Sequence, residues 1–234
     1  MPDRLIVEVS DRERTSALAY RGSDETRLHA TLVLAHGAGA GQESGFMVKF
    51  ASGFAARGVD VLTFNFMYTE QHRRIPDRTE KLEACYRAAI RTAQTHRPFG
   101  GDAVFIGGKS MGGRIATHLA AAAGSNAATE GINGVVLLGY PLHPPGKPAQ
   151  LRAEHLAKIR VPMLVVQGAR DPVGTPAELQ PVLDALAADV TLHVVEHGDH
   201  SLAPSRRGAV SVDHVYAELQ DVIVEWIRRS RKPV

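Results

Sequence analysis

Gly108-Lys109-Ser110-Met111-Gly112 is the stretch of this 234-residue chain that decides its fold. It matches the pattern Gly-x-Ser-x-Gly, in which a serine occupies a tight turn between a β-strand and an α-helix. The apolar run Ala103–Ile106 precedes it and predicts the strand, while the spacing of Ile115 and Leu119 after it predicts the helix. Both flanking glycines are needed because a Cβ would crowd the turn. The stretch therefore predicts a serine hydroxyl raised above the edge of a sheet.

Short aliphatic runs alternate with longer segments of helical periodicity along the rest of the chain. Several runs are continuously apolar, as expected for strands that are covered on both faces. The alternation predicts an α/β fold with a mostly parallel central sheet and helices on both faces, in a single domain over residues 1–234. The predicted strands are Leu5–Val9, Thr31–Ala35, Val59–Phe64, Ala103–Ile106, Val135–Leu138, Met163–Gln167 and Thr191–Val195.

Apolar residues at helical spacing predict further helices. The segment Phe46–Phe54 repeats phenylalanine at every fourth position, and Gly58 marks its end. A second helix carries an apolar face over residues 82–93, with Asp77 as its expected N-cap. The clearest stripe covers residues 212–227. It predicts a C-terminal helix that packs on the sheet.

Charge and cysteine content narrow the classes of function. The 27 basic and 25 acidic residues leave a formal charge of +2, which is too small for a chain whose main partner is a nucleic acid. Cys85 is the one cysteine, so no internal disulfide and no multi-cysteine metal site can form. No apolar run approaches the ~20 residues of a membrane helix. We therefore expect a soluble cytoplasmic protein without metal, cofactor, membrane or nucleic-acid partner.

Asp171 and His200 are candidate partners for Ser110. A serine hydroxyl is a weak nucleophile near neutral pH, so it needs a base that is itself oriented by an acid. Each candidate follows a predicted strand, at the edge where open α/β sheets gather their ligands. Asp199 adjoins His200, but neighbouring side chains usually diverge, so we assign it to the loop. Glu196 is a more distant alternative to Asp171.

Two parts of the sequence are candidates for an oxyanion hole. Acyl transfer needs N–H donors that point at the oxygen on which negative charge develops. One donor is the backbone N–H of Met111, directly after the serine. The other lies in the glycine-rich loop His36–Gly41, where the N–H of Gly37 or Ala38 can turn inward. A phosphate-binding loop is the alternative, but the Lys-Ser/Thr ending of a Walker motif is missing.

With these motifs in place, the chain resembles the α/β-hydrolases over nearly its whole length. Within that superfamily it resembles the testis-expressed hydrolase-like proteins, the hydrolase-like domain of the third nonspecific-lethal complex subunit, and their bacterial relatives. The resemblance implies a serine hydrolase with Ser110, Asp171 and His200 at matching positions, but it implies no substrate. It rests on His36-Gly37-Ala38-Gly39, Gly108-Lys109-Ser110-Met111-Gly112, Tyr140-Pro141-Leu142-His143-Pro144-Pro145 with Leu151-Arg152-Ala153-Glu154-His155-Leu156, and Asp199-His200-Ser201.

The expected activity is that of an esterase-type serine hydrolase. The segment between Gly139 and Val161 is short and rich in proline, so it predicts a minimal lid and short or polar acyl groups. His72 and His143 are candidate substrate contacts. A non-catalytic interaction module on the same fold remains an alternative, as does a thioesterase or peptidase that uses the same three residues. The sequence leaves the oligomeric state open.

Overall fold

An eight-stranded sheet forms the centre of the protein. The computed structural model describes residues 1–96, 99, 103–124, 131–204 and 210–231. The strands are numbered along the chain. Their bounds are β1 Asp3–Ser10, β2 Glu13–Tyr20, β3 Ala30–Ala35, β4 Asp60–Phe64, β5 Ala103–Lys109, β6 Ile132–Leu138, β7 Met163–Gly168 and β8 Val190–Val195.

The sheet is mostly parallel. Its strand order is β1-β2-β4-β3-β5-β6-β7-β8. β2 pairs antiparallel with β1 and β4, and every other pairing is parallel. The carboxyl ends of the parallel strands therefore meet at one edge. The loops that follow β3, β5, β7 and β8 leave the sheet at that edge.

Helices cover both faces of the sheet because both faces of the inner strands are apolar. In β3, Leu32 and Leu34 belong to one buried cluster, whereas Val33 and Ala35 belong to the other. The first cluster packs under α1 and α6, and the second under α3, α4 and α5. The helices are α1 Gly45–Ala56, α2 Met67–Glu70, α3 Thr79–Thr95, α4 Met111–Ala123, α5 Pro176–Asp184 and α6 Val212–Ser230, with a 3₁₀ helix at Glu154–Lys158.

The seven predicted strands are confirmed to within three residues at each end, and the predicted parallel sheet with helices on both faces is correct. One strand, β2, was not predicted. Its first half, Glu13–Ser16, is polar and its apolar residues are confined to the second half, so it has neither alternation nor a continuous apolar run. None of the helices in the described part of the chain is long and apolar enough to span a membrane.

The expected N-cap of α3 is wrong. The helix begins at Thr79, and the N-cap position is occupied by Arg78 rather than Asp77. The Asp77 carboxylate instead forms an ion pair with Arg73 in the preceding loop. An acidic residue close to a helix start thus stabilises the loop and does not cap the helix.

Candidate active site

Ser110 occupies the sharp turn between β5 and α4. Its backbone has φ 51° and ψ −113°, in a region that non-glycine residues rarely adopt. Glycine is needed on both sides, because a Cβ on Gly108 would lie 2.6 Å from the carbonyl oxygen of Ala35, and one on Gly112 would lie 2.6 Å from that of His36. The close approach of the loop after β3 thus explains both glycines of the motif.

His200 connects Ser110 to Asp171. Its Nε2 atom lies 2.9 Å from Ser110 Oγ, and its Nδ1 atom lies 2.8 Å from Asp171 Oδ2. A carboxylate only accepts hydrogen bonds, so Nδ1 carries the proton and the lone pair of Nε2 faces the serine hydroxyl. About a third of the His200 side chain (32%) is exposed. The three predicted residues are therefore brought together at the carboxyl edge of the sheet.

Asp171 follows β7 and is fully buried, at 0% exposure. Besides His200, Oδ1 accepts the backbone N–H of Val173 at 3.0 Å, and Oδ2 accepts Nε2 of Gln167 at 2.9 Å. A buried carboxylate is tolerated when donors satisfy its oxygens. These donors also fix the orientation of the carboxylate toward the imidazole.

Gln167 is a supporting residue that the sequence did not indicate. Its amide nitrogen donates to Asp171 and, at 2.6 Å, to the carbonyl of Gly174, while its amide oxygen accepts the N–H of Tyr140 at 2.8 Å. It thereby joins the loop after β6 to the loop after β7. The only signal in the sequence was a polar residue at the end of an apolar strand.

Asp199 has a structural part in the loop that carries His200. Its Oδ1 atom accepts the backbone N–H groups of Ser201 at 2.7 Å and Ala203 at 3.2 Å. The assignment of Asp199 to loop structure thus agrees with its contacts. Glu196 lines a 690 Å³ cavity between β8 and α6, and the carboxylate that contacts His200 is that of Asp171.

His36 holds the loop that follows β3. Its Nδ1 atom lies 2.8 Å from the carbonyl oxygen of Gly37, and its Nε2 atom accepts the backbone N–H of Phe66 at 3.1 Å. Burial lowers the pKa of His36, so the ring is neutral and donates from Nδ1. A Cβ on Gly37 would lie 3.6 Å from the Cβ of Ser110. His36 therefore keeps this loop directly beside the serine.

The backbone N–H groups of Ala38 and Met111 have no acceptor within the described part of the chain. Ala38 is exposed on the loop beside Ser110, and Met111 is the first residue of α4. The first N–H groups of a helix lack intrahelical partners and favour negative charge. Both groups are thus free to bind a ligand oxygen.

Lys109 precedes Ser110 and places its ammonium group inside the protein. Nζ is buried and has no hydrogen-bond partner among the described residues. A Cβ on Gly139 would lie 3.0 Å from Nζ and 2.8 Å from the carbonyl oxygen of His200. Burial lowers the pKa of Lys109 to about 8, against smaller opposing effects of Asp171 and Asp199. Nothing in the sequence indicated this buried cation.

His72 and His143 lie apart from the three central residues. His72 lines a 730 Å³ cavity together with Gly39 and Gly41 of the loop after β3. His143 is buried, with Nδ1 at 2.9 Å from the carbonyl oxygen of Pro144 and Nε2 at 3.4 Å from a carboxylate oxygen of Glu178. The structure therefore places His72 at a cavity beside the loop after β3 and turns His143 toward α5. In the described ranges, no three His, Cys, Asp or Glu side chains form a metal-binding group.

Comparison with known proteins agrees with this architecture. A family model described as an alpha/beta hydrolase domain matches residues 28–228. The chain belongs to the alpha/beta hydrolase family. The core of this hydrolase is the eight-stranded, mostly parallel sheet, and most of the chain lies within the match.

Solved structures of similar fold include several bacterial hydrolases. A serine hydrolase without a lid from Xanthomonas campestris has 17% sequence identity and a TM-score of 0.72, covering 100% of this chain and 96% of its own. Dienelactone hydrolase from Anabaena variabilis has 20% identity and a TM-score of 0.71, covering 97% and 98%. Est1E from Butyrivibrio proteoclasticus has 12% identity and a TM-score of 0.74, covering 97% and 98%. At these identities the likeness concerns the fold.

Proposed function

We propose that this hydrolase is an esterase-type serine hydrolase that acts on short or polar acyl esters. The observation that carries the proposal is the chain of hydrogen bonds from Ser110 through His200 to the buried Asp171, at 2.9 and 2.8 Å. Nucleophile, base and orienting acid lie in the geometry that acyl transfer requires.

In the first half of the reaction, Ser110 Oγ attacks the carbonyl carbon of the ester while His200 Nε2 takes the hydroxyl proton. The former carbonyl oxygen becomes an oxyanion, which accepts hydrogen bonds from the N–H groups of Met111 and of Ala38 or Gly37. The Asp171 carboxylate stabilises the resulting imidazolium by accepting the hydrogen bond from His200 Nδ1. The C–O bond to the alcohol then breaks, and His200 gives its proton to the leaving alcohol.

In the second half, water replaces the alcohol. His200 Nε2 takes a proton from the water as its oxygen attacks the acyl carbon, and the same donors hold the second oxyanion. Collapse of this intermediate breaks the bond to Ser110 Oγ, which receives the proton from His200. The acid leaves, and the three side chains return to their starting protonation states.

Further features agree with this proposal. One protein of similar fold is named a dienelactone hydrolase, and another is named the esterase domain of a Rhodothermus marinus protein. We also propose that the chain belongs to the branch of the testis-expressed hydrolase-like proteins and the third nonspecific-lethal complex subunit, because its Tyr140–Pro145 motif resembles theirs. We propose that residues 1–234 form one domain, and that the protein works in the cytoplasm without a metal or other cofactor. A single free cysteine, Cys85, fits a reducing compartment.

Replacing the nucleophile tests the proposal. We expect Ser110→Ala to lower kcat/KM for ethyl butyrate by about 10³-fold or more, because no covalent acyl-enzyme can form. The variant should also lose labelling by a fluorophosphonate probe while its Tm stays close to that of the wild type. Ser201→Ala is the matched control, because it removes an exposed serine hydroxyl from the loop of His200. A wild type that neither labels nor hydrolyses esters would instead favour an interaction module.

A further inference from the structure

Arg114 and Arg152 are two arginines without ionic partners among the described residues, and Arg114 lies one helical turn after Ser110. Over residues 1–96, 99, 103–124, 131–204 and 210–231, they are the two arginines that are partly buried and whose guanidinium groups form no hydrogen bond or ion pair. The other partly buried arginines all have acceptors: Arg27 with Asp60, Arg57 with Asp221, Arg87 with Glu83, and Arg231 with the carbonyl of Leu28.

Both arginines lie on segments that leave the carboxyl edge of the sheet. Arg114 is in the first turn of α4, where its backbone N–H donates to the carbonyl of Ser110 at 3.0 Å. Arg152 lies in the loop after β6: its N–H donates to the carbonyl of Leu142 at 2.7 Å, and its carbonyl accepts the hydroxyl of Tyr140 at 2.7 Å. Burial lowers the pKa of Arg114, and the charge of Arg152 lowers it further. The two guanidinium groups therefore repel each other.

Among the described residues, no carboxylate forms an ion pair with either arginine. The rings of His118 and His155 contact each other at a tilt of 54° with their centroids 4.2 Å apart, and burial, with a smaller contribution from the charge of Arg114, lowers the pKa of both. Glu83 is engaged by His118 at 3.1 Å and by Arg87 at 3.7 Å. Partly buried charges that lack counterions destabilise a fold, and an anion bound between the two guanidinium groups would offset this cost. Guanidinium groups match carboxylate and phosphate oxygens, with two hydrogen bonds each.

We propose that Arg114 and Arg152 form a subsite for an anionic group of the substrate, a carboxylate or a phosphate, held beside the Ser110 nucleophile. This inference rests on the proposed function and narrows it. The preferred esters carry a negative charge on the acyl or the alcohol part. Neutral esters of the same length bind without this contact.

Matched esters test the subsite. Ethyl butyrate is neutral, monoethyl succinate carries a carboxylate on an acyl chain of the same length, and carboxymethyl butyrate carries it on the alcohol. Hydrolysis of each ester is measured by pH-stat titration. The quantity compared is the ratio of kcat/KM for each anionic ester to kcat/KM for ethyl butyrate. We expect Arg114→Gln and Arg152→Gln each to lower this ratio by about 10- to 100-fold for at least one anionic ester, through KM, because a charge-assisted pair is lost.

Arg91→Gln is the matched control. It removes an exposed arginine near the end of α3, at the opposite edge of the sheet, and should leave the ratio unchanged. Ethyl 3-phosphonopropanoate distinguishes a phosphate subsite from a carboxylate subsite. A response to either anion supports the proposal and defines the ligand. The same ratio in all four proteins overturns it.

Two further measurements separate the subsite from the esterase proposal. Titration calorimetry with sodium succinate and with sodium phosphate reports anion binding even if no ester is hydrolysed. We expect Arg152→Gln to weaken binding at least about 10-fold and Arg91→Gln to leave it unchanged. The Tm of Arg114→Gln and Arg152→Gln should equal or exceed that of the wild type, because repulsion is relieved. The subsite is overturned if the wild type binds neither anion. It is also overturned if the two variants have a lower Tm and lose kcat/KM equally on all esters.

Discussion

The ammonium group of Lys109 is enclosed one residue before Ser110, between the backbone of the His200 loop and the ring of Phe46, whose centroid lies 6.0 Å away. Such a group is held there against its preference for water. Its pKa is about 8, compared with an ordinary value of 10.5. The folded protein therefore binds this proton less tightly than the unfolded chain does. Stability must then depend on pH through Lys109.

Lys109→Met makes this dependence measurable, because methionine is similar in shape and has no charge. Between pH 8 and 10.5 the unfolded chain binds more protons at Lys109 than the folded protein, so wild-type stability rises with pH, and below pH 8 the full cost remains. We expect the variant to gain at most about 3 kcal/mol in the free energy of unfolding at pH 7. Urea unfolding should show a smaller gain in the free energy of unfolding at pH 10 than at pH 7. A gain that is the same at both pH values would contradict this.

The sequence predicted a residue's part in the site where a motif, or a position directly after a strand, constrains that residue. Ser110, Asp171 and His200 were predictable as neighbours because the proposed acyl transfer needs three residue types at strand ends in a set order. Gln167 and Lys109 were not, because their parts depend on which groups surround them in three dimensions. A sequence shows that a lysine precedes the nucleophile, but not that its ammonium lacks a partner.

At the scale of elements, β2 supports the loop that carries the candidate oxyanion donors. Ser16 in this strand donates to a carboxylate oxygen of Glu70 at 2.7 Å, and Asn65 donates to the same oxygen at 3.1 Å. The side-chain oxygen of Asn65 accepts the backbone N–H of Gln42 at 3.0 Å. Thus the strand that the sequence did not predict stabilises the end of the segment that begins at His36.

Glu70→Gln should destabilise this network in a pH-dependent way. Burial raises the pKa of Glu70, but hydrogen bonds from Ser16 and Asn65 outweigh it, so the pKa is below its ordinary 4.5. A lowered carboxyl pKa contributes stability above pH 4.5 that is lost as the pH falls through the folded-state pKa. We expect a lower Tm for the variant at pH 7 and a difference that narrows below pH 4.5. Glu25→Gln, an exposed carboxylate, is the control and should show neither effect.

The crossing segment after β6 sets the expected acyl length. Residues 139–153 contain no helix or strand, and the short 3₁₀ helix Glu154–Lys158 follows directly. Each buried methylene contributes about 0.8 kcal/mol, so a deep pocket would raise kcat/KM about fourfold per added carbon. With so little cover we expect a maximum at about two to four acyl carbons in a nitrophenyl ester series. A steady rise through about eight carbons would show that another part of the protein completes a longer pocket.

At the scale of the whole molecule, the alternation of apolar strands and amphipathic helices was enough to predict the sheet and its two helical layers. Continuous apolar runs are read easily because both faces of the inner strands are buried. The position of β2 between β1 and β4 could not be predicted from the sequence pattern. Antiparallel pairing of a half-polar strand depends on neighbours that are distant in sequence.

The two layers share the same strands, so we expect them to unfold together. The single tryptophan, Trp226, lies in α6 with its ring centroid 5.8 Å from that of Phe105 in β5, and it reports the docking of that helix. Losing α6 would expose strands whose other face supports α3 and α4. Urea unfolding followed by Trp226 fluorescence and by far-UV circular dichroism should therefore give coincident transitions.

Phe105→Ala sharpens this expectation. Phe105 is fully buried in the cluster beneath α1 and α6, so its truncation should cost about 3–5 kcal/mol. If the protein unfolds as one unit, both transitions move to lower urea by the same amount, because a cavity in one layer destabilises the shared sheet. If α6 and its layer form a separate unit, the fluorescence transition alone moves and the circular dichroism retains a second step. That outcome would contradict a single domain over residues 1–234.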